Sequence, residues 1–135
     1  MVRIMGGRRD DRGFTLLELI TVITIVGILT AIAVPQYKVA IIQAKEGVLR
    51  QDLFLFRDAI DQYYVDKGKY PASLDALAEE GYLRKIPVDP ITQQADWEAV
   101  LGESDPDRPG EPPGIYDVKS ASTMPSLSGT PYNEW

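Results

Sequence analysis

Residues 13–35 decide the fold, and they read Gly-Phe-Thr-Leu-Leu-Glu-Leu-Ile-Thr-Val-Ile-Thr-Ile-Val-Gly-Ile-Leu-Thr-Ala-Ile-Ala-Val-Pro. From Phe14 to Val34 the run has a single charge, that of Glu18. At about 1.5 Å per residue, a helix of this length spans about 30 Å, which is the thickness of the hydrocarbon core of a bilayer. The sequence therefore predicts a transmembrane helix over residues 14–34.

Glu18 is the anomaly in this helix. A carboxylate at the centre of a membrane helix costs about 2.5–3.5 kcal/mol on insertion scales, and less near an end. Ionisable residues inside a membrane segment are usually functional, so we expect Glu18 to have a partner.

Charge is distributed unevenly around the apolar run. Residues 1–13 hold four arginines and two aspartates, a net charge of +2, whereas residues 14–135 hold 10 basic and 18 acidic side chains, a net charge of −8. By the positive-inside rule, the N-terminus stays in the cytoplasm and the C-terminal region is exported. The acidic balance also argues against nucleic acid as a partner, because phosphate contacts supply most of that affinity.

The chain contains no cysteine and no histidine. Disulfides, thiol chemistry, histidine-based catalysis and the common zinc sites are therefore excluded. Lys119 and Ser120 are adjacent and would face opposite sides of a strand, which defeats a catalytic dyad. Asp58 and Asp61 lie three residues apart on a charged helix face, as solvated acids do. We expect no enzymatic activity.

The helical pattern continues beyond the apolar run. Apolar residues recur at spacings of three and four, the pattern of one buried helix face, at Leu49, Leu53, Phe56, Ile60 and Tyr63/Tyr64. Charged residues fall mostly elsewhere on the helix: Lys45, Glu46, Arg50, Asp52, Arg57, Asp58 and Asp61. Gly68 suits the position after the last helical residue, and Pro71 prevents continuation. One helix of about fifty residues is predicted, half in lipid and half amphipathic.

The remaining residues, 69–135, predict a small globular domain. Ser73 is a suitable N-cap for a short helix that stops at Gly81. We expect strands at residues 97–101 and 115–120, separated by a surface loop over residues 102–114 with four prolines and four acidic side chains. The fold class predicted is α+β, with a long N-terminal helix packed on a small antiparallel sheet.

The segment Arg12-Gly13-Phe14-Thr15-Leu16-Leu17-Glu18, followed by an apolar run and Pro35, resembles the class III signal of type IV pilins and type II secretion pseudopilins. The resemblance implies that residues 1–13 are a leader, that a prepilin peptidase cuts between Gly13 and Phe14, and that Phe14 is then N-methylated. It further implies that Glu18 pairs with the terminal amine of Phe14 in a neighbouring subunit. Gly27 and Pro35 would bound a stretch that loses helicity in the filament; without the resemblance, they are a tolerated glycine and a bend.

A second set of residues resembles the major pseudopilin of type II secretion: Gly68-Lys69-Tyr70-Pro71, Gly81-Tyr82-Leu83 and Pro87-Val88-Asp89-Pro90. The implied function is that of a subunit that polymerises into a periplasmic pseudopilus for protein export. The implied partners are copies of itself, the peptidase, an inner-membrane platform with its ATPase, and minor pseudopilins. Two alternatives stay open: a type IV pilin for adhesion, motility or DNA uptake, and a monomeric membrane-anchored binding module.

Calcium is the cofactor that this resemblance raises, because well-known family members bind it in the last loop through aspartates. Six to eight oxygen ligands are needed for a calcium site. Residues 120–135 of this chain contain no Asp and offer only Asn133 and Glu134 as side chains of that kind. Asp105, Asp107 and Glu111 in the other loop could hold an ion, but the pattern favours solvated acids. The sequence therefore supports no metal or cofactor site.

Overall fold

A single long helix, α1, spans Leu16–Lys67 in the computed structural model, which describes Gly13 and residues 15–135. The predicted fifty-residue helix is confirmed. Its end is also confirmed at Gly68, which has a left-handed φ of 69° and whose N–H donates to the carbonyl of Tyr64 at 2.8 Å. Only glycine adopts that conformation without strain, so the sequence fixes where α1 stops.

The chain after α1 contains one short helix and two strands. Helix α2 covers Leu74–Glu79, and the hydroxyl of Ser73 accepts the N–H of Ala76 at 3.2 Å as the predicted N-cap. Strand β1 covers Glu98–Leu101 and strand β2 covers Ile115–Lys119. A single 3₁₀ turn, Tyr132–Glu134, follows near the C-terminal end. Both predicted strands are present within a residue of their predicted bounds.

The two strands pair antiparallel, with Ala99 opposite Val118 and Leu101 opposite Ile115. A bulge falls between Val100 and Leu101, and it leaves Tyr116 without a direct partner. Regular alternation would place residues 115 and 118 on opposite faces, but the extra residue returns both to one face. Ile115 and Val118 are therefore both buried, while Tyr116 lies outside.

The core of the unit Val39–Trp135 lies against the second half of α1. The Phe56 ring contacts the edge of Trp97 with centroids 5.1 Å apart, and the Trp97 indole N–H donates to the carbonyl of Pro87 at 2.7 Å. A two-stranded sheet is only marginally stable by itself, so packing on the helix is what holds it. The buried apolar residues are Leu49, Leu53, Phe56, Ala59, Ile60, Tyr63, Leu77, Leu83, Trp97, Ile115, Val118 and Tyr132.

The α+β class is confirmed, as is most of the predicted helical stripe. Three assignments differ. Tyr64, predicted with Tyr63 on the buried face, is exposed. Glu46 and Asp52, predicted among the charged residues away from the core, are buried. The reason is geometric, because Glu46 precedes Leu49 by three residues and Asp52 precedes Phe56 by four.

The other unit ends at Lys38 and contains the first part of α1. The side chains from Leu16 to Val34 are all exposed in the single chain. The predicted division of the chain at residues 14–34, 35–68 and 69–135 stays a prediction.

Two phenylalanines on α1 provide a matched test of this core. Phe56 is 0% exposed and Phe54 is 67% exposed. We expect Phe56→Ala to lower the free energy of unfolding by about 3–5 kcal/mol, because it removes buried contacts and leaves a cavity. Denaturant titration of the purified chain in detergent, followed by tryptophan fluorescence, measures this. Phe54→Ala is the control and should change the value by less than about 0.5 kcal/mol. Equal losses for both variants would contradict the assigned core.

Candidate processing and assembly site

The start of α1 carries Glu18, the predicted assembly residue, in its first turn. Thr15 precedes the first helical residue, and its hydroxyl accepts the backbone N–H of Glu18 at 3.2 Å. Thr15-Leu16-Leu17-Glu18 thus has the Thr-x-x-Glu spacing of a capping box, which the sequence analysis missed. Glu18 lies in the first turn, where the positive end of the helix dipole favours a carboxylate. Phe14 and residues 1–12 lie outside the described residues.

The apolar part of α1 is uncovered along its whole length. Every residue from Leu16 to Val34 is exposed in the single chain; Leu16 and Leu17, for example, are each 74% accessible. This part of α1 is long and apolar enough to cross a membrane. A helix that is apolar on all sides requires lipid or other helices as its surroundings.

The threonines in this segment are already satisfied. The hydroxyls of Thr21, Thr24 and Thr30 donate to the carbonyls four residues earlier at 2.7–2.8 Å. Such bonds remove the cost of placing a hydroxyl in hydrocarbon. Between Leu16 and Val34, Glu18 is the only residue with an ionisable side chain.

Gly27 and Pro35 both lie inside α1, which stays helical through each of them. A Cβ atom at Gly27 would meet nothing within 4 Å, so no contact within the described residues explains the missing side chain. Their role in a filament stays a prediction. Gly13, Glu18, Gly27 and Pro35 follow one another along a single helix and its start, and folding does not bring them together.

The residues that carry the second resemblance have structural roles. The carbonyl of Pro71 accepts the N–H of Ile115 at 2.8 Å. The Tyr82 hydroxyl donates to Asp66 at 2.7 Å, and this hydrogen bond raises the pKa of Tyr82 to about 12. Asp89 is fully buried and accepts the N–H of Ile91 at 2.8 Å and the hydroxyl of Ser120. These hydrogen bonds connect the loops that contain Pro71, Tyr82 and Asp89 to α1 and to the ends of β2.

The side chains considered as catalytic candidates also make structural hydrogen bonds. The Ser120 hydroxyl is 0% exposed and engaged with Asp89, whereas Asp58 accepts a hydrogen bond from Gln62 at 2.8 Å on the exposed face of α1. In the loop after β1, the Asp105 carboxylate accepts the N–H of Asp107 at 2.9 Å. Among the described residues, no group of three or more carboxylates is placed to hold a metal ion.

Arg57 links α1 to the C-terminal end of the domain. Its Nε donates to the Asp117 carboxylate at 2.8 Å, and its guanidinium also donates to the carbonyl of Trp135 at 2.7 Å. Arg50, two turns earlier, lies over the Trp135 ring at 4.7 Å from the centroid. The sequence pattern placed both arginines among the charged residues away from the apolar stripe, yet they bind groups far along the chain.

The processing motif has a counterpart among known families. The family model described as the prokaryotic N-terminal methylation motif matches residues 8–34. Together with a long apolar helix on a small antiparallel sheet, this match defines a membrane-anchored protein of the type IV pilin-like class.

Curated relatives identify the branch. The chain is 38% identical over 99 residues to the type II secretion system core protein G of Pseudomonas aeruginosa, a match that covers 62% of this chain and 70% of the relative. It is 32% identical over 133 residues to the protein of that name from Escherichia coli K12, covering 87% and 85%. The chain belongs to the type II secretion system core protein G family, the major pseudopilins. No solved structure matches it significantly.

Asp52 provides a test of the buried polar groups. Burial, and secondly the negative charge of Asp89, raise the pKa of Asp52 above its usual value. The ionised Asp52 carboxylate therefore destabilises the folded state at neutral pH. As the pH falls, the folded protein binds a proton at Asp52 before the unfolded chain does, and the destabilisation disappears. We expect Asp52→Asn to raise the melting temperature by roughly a few degrees at pH 7 and by progressively less towards pH 4.

Asp58→Asn is the matched control, because Asp58 is an exposed acid on the same helix. Melting curves of both variants between pH 4 and 8 measure the effect. A gain for Asp52→Asn that does not shrink at low pH would contradict the stated cause.

Proposed function

We propose that the mature chain is a structural subunit that polymerises, helix against helix, into the periplasmic pseudopilus of a type II secretion system. The observation that carries the proposal is the uncovered apolar surface between Leu16 and Val34 on a chain of the core protein G family. Adding subunits at the base lengthens the filament and pushes exported proteins outward. A prepilin peptidase, an inner-membrane platform with its ATPase, and minor pseudopilins are the proposed partners.

The proposed orientation places the N-terminus in the cytoplasm and the unit Val39–Trp135 in the periplasm of a bacterial inner membrane. The four arginines before Gly13 support it through the positive-inside rule. The curated relatives are named as secretion proteins, which favours the secretion branch over a type IV pilus.

Processing is proposed between Gly13 and Phe14, with N-methylation of Phe14. The proposed cleavage site precedes α1 in sequence, because α1 begins at Leu16. The new amine of Phe14 would lie one turn from Glu18. Both charges are costly in lipid alone, and pairing them between subunits lowers that cost.

Gly13→Val tests the processing site. We expect the leader to be retained, because a branched side chain beside the cut bond obstructs the close approach that glycine permits. Mass spectrometry of the purified N-terminus measures this. Gly7→Val, which changes another leader glycine, is the control and should be cut normally. A mature N-terminus at Phe14 in the Gly13→Val protein would show that the signal is assigned wrongly.

Glu18→Gln tests the assembly site. Membrane insertion should be unchanged, since the variant removes a charge from the apolar segment. Filaments in sheared fractions should fall below about a tenth of the wild-type amount, because removing one partner of a buried ion pair costs about 3–5 kcal/mol.

Thr24→Val is the matched control for Glu18→Gln. It removes a polar group from the same helix, but one that bonds only to the carbonyl of Ile20 at 2.7 Å. We expect this variant to assemble normally. Wild-type filament yield from Glu18→Gln would refute the ion pair.

A further inference from the structure

The segment after β2, residues 120–135, has almost no regular structure of its own. It contains one 3₁₀ turn and an isolated bridge between Pro125 and Pro131. Despite this, Ser122, Ser126 and Tyr132 are buried. Some interaction outside the segment must hold it, because two short local motifs do not supply enough contacts to offset the entropy of ordering sixteen residues.

Asp89 and Arg57 hold the two ends of the segment, at the Ser120 hydroxyl and the Trp135 carbonyl. Its middle is held by Glu46 on α1. One oxygen of its carboxylate, Oε1, accepts the backbone N–H of Leu127 at 2.8 Å and the hydroxyl of Tyr132 at 2.9 Å. Glu46 is 7% exposed and Tyr132 is 3% exposed, so both bonds lie largely out of water. Hydrogen bonds to a charged group are about twice as strong as neutral ones. Burial, followed by the bond to Glu46, raises the pKa of Tyr132.

The rest of the segment is closed by its own polar groups. The N–H of Ser122 donates to the Ser120 hydroxyl at 3.2 Å, and the N–H of Asn133 donates to the Ser122 carbonyl at 2.9 Å. The N–H of Tyr132 donates to the Met124 carbonyl at 3.1 Å. The segment is thus folded back on itself, with Leu127 and Tyr132 presented to α1.

The side chains of this segment do not provide the oxygen ligands that calcium requires. A calcium ion collects six to eight oxygens, several of them carboxylate. Asn133 and Glu134 are the only residues of the segment with a carboxylate or amide side chain. The groups that it turns towards α1 are an N–H and an O–H, which are donors and have the polarity that an anion requires. A carboxylate at residue 46 matches that polarity, whereas a cation does not.

We propose that Glu46 is the positioning residue that closes residues 120–135 onto α1, and that this segment folds without calcium. The carboxylate brings a negative charge from the helix to the N–H and O–H donors of the segment. The inference does not depend on filament assembly, so its failure would leave the proposed function intact.

The experiment uses the purified mature chain in detergent. Melting temperature is measured in a chelator and in millimolar calcium, and hydrogen exchange is followed at the Leu127 amide, with the Val118 amide as an internal reference from the sheet. If the protein had a calcium site, free calcium at a hundred times the Kd of that site would raise the melting temperature by roughly 10 °C or more. We expect no shift. A calcium-dependent rise in the wild-type protein would overturn the inference.

Three variants complete the test. Glu46→Ala should lower the melting temperature and speed exchange at Leu127 by about tenfold or more relative to Val118, because the amide loses a charged acceptor. Glu46→Gln keeps the size and one acceptor oxygen, so it should fold and show a smaller change in the same direction. Glu134→Gln, which neutralises an exposed acid in the segment, should leave both readouts unchanged.

If hydrogen exchange at the Leu127 amide is unaltered in both Glu46 variants, the proposed positioning role of Glu46 is wrong. A Glu134→Gln effect as large as that of Glu46→Gln would also overturn it, since the segment would then depend on its own acids.

Discussion

The rest of the structure depends on one contact, the packing of the second half of α1 against the C-terminal residues. A sheet of two strands and a six-residue helix cannot bury a core by themselves. The stripe that includes Leu49, Phe56 and Ile60 provides the surface on which they fold. Because the same helix continues from residues that need lipid or helical neighbours, folding and assembly share one element without sharing residues. The core uses positions beyond residue 45, whereas the segment from Leu16 to Val34 stays free for other contacts.

Polar contacts add specificity to this apolar packing. Glu46, Arg57 and Asp89 bind groups that are distant in sequence. Their partners lie 86, 78 and 31 residues further along the chain, respectively. Together they define where the loop after β2 runs and where the chain approaches α1 again. An apolar stripe alone would tolerate several registers of that irregular segment, whereas directional bonds to a carboxylate or a guanidinium fix one.

Much of this could be predicted from the sequence, since the decisive signals are local. The length of the apolar run, the three-and-four spacing that begins at Leu49, and the positive-φ glycine after Lys67 determine α1 without tertiary information. The candidate site at Gly13 and Glu18 is likewise predicted from a short contiguous motif. The bulge at Tyr116 was not predictable, because strand alternation says nothing of register. Glu46 was missed although it lies three residues before Leu49 on the buried stripe; its partners, 81 and 86 residues away, left no local signal.

The central claim is that the apolar half of α1 is a surface for copies of the same chain. Disulfide crosslinking tests it most directly, because the chain has no cysteine of its own. Pairs of cysteines introduced along residues 19–32, oxidised in intact cells that make the whole secretion system, should give a ladder of covalent oligomers for the pairs that meet between neighbours. Dependence of that ladder on pair position would define the helix contacts in the filament. A single monomer band for every pair would contradict the account.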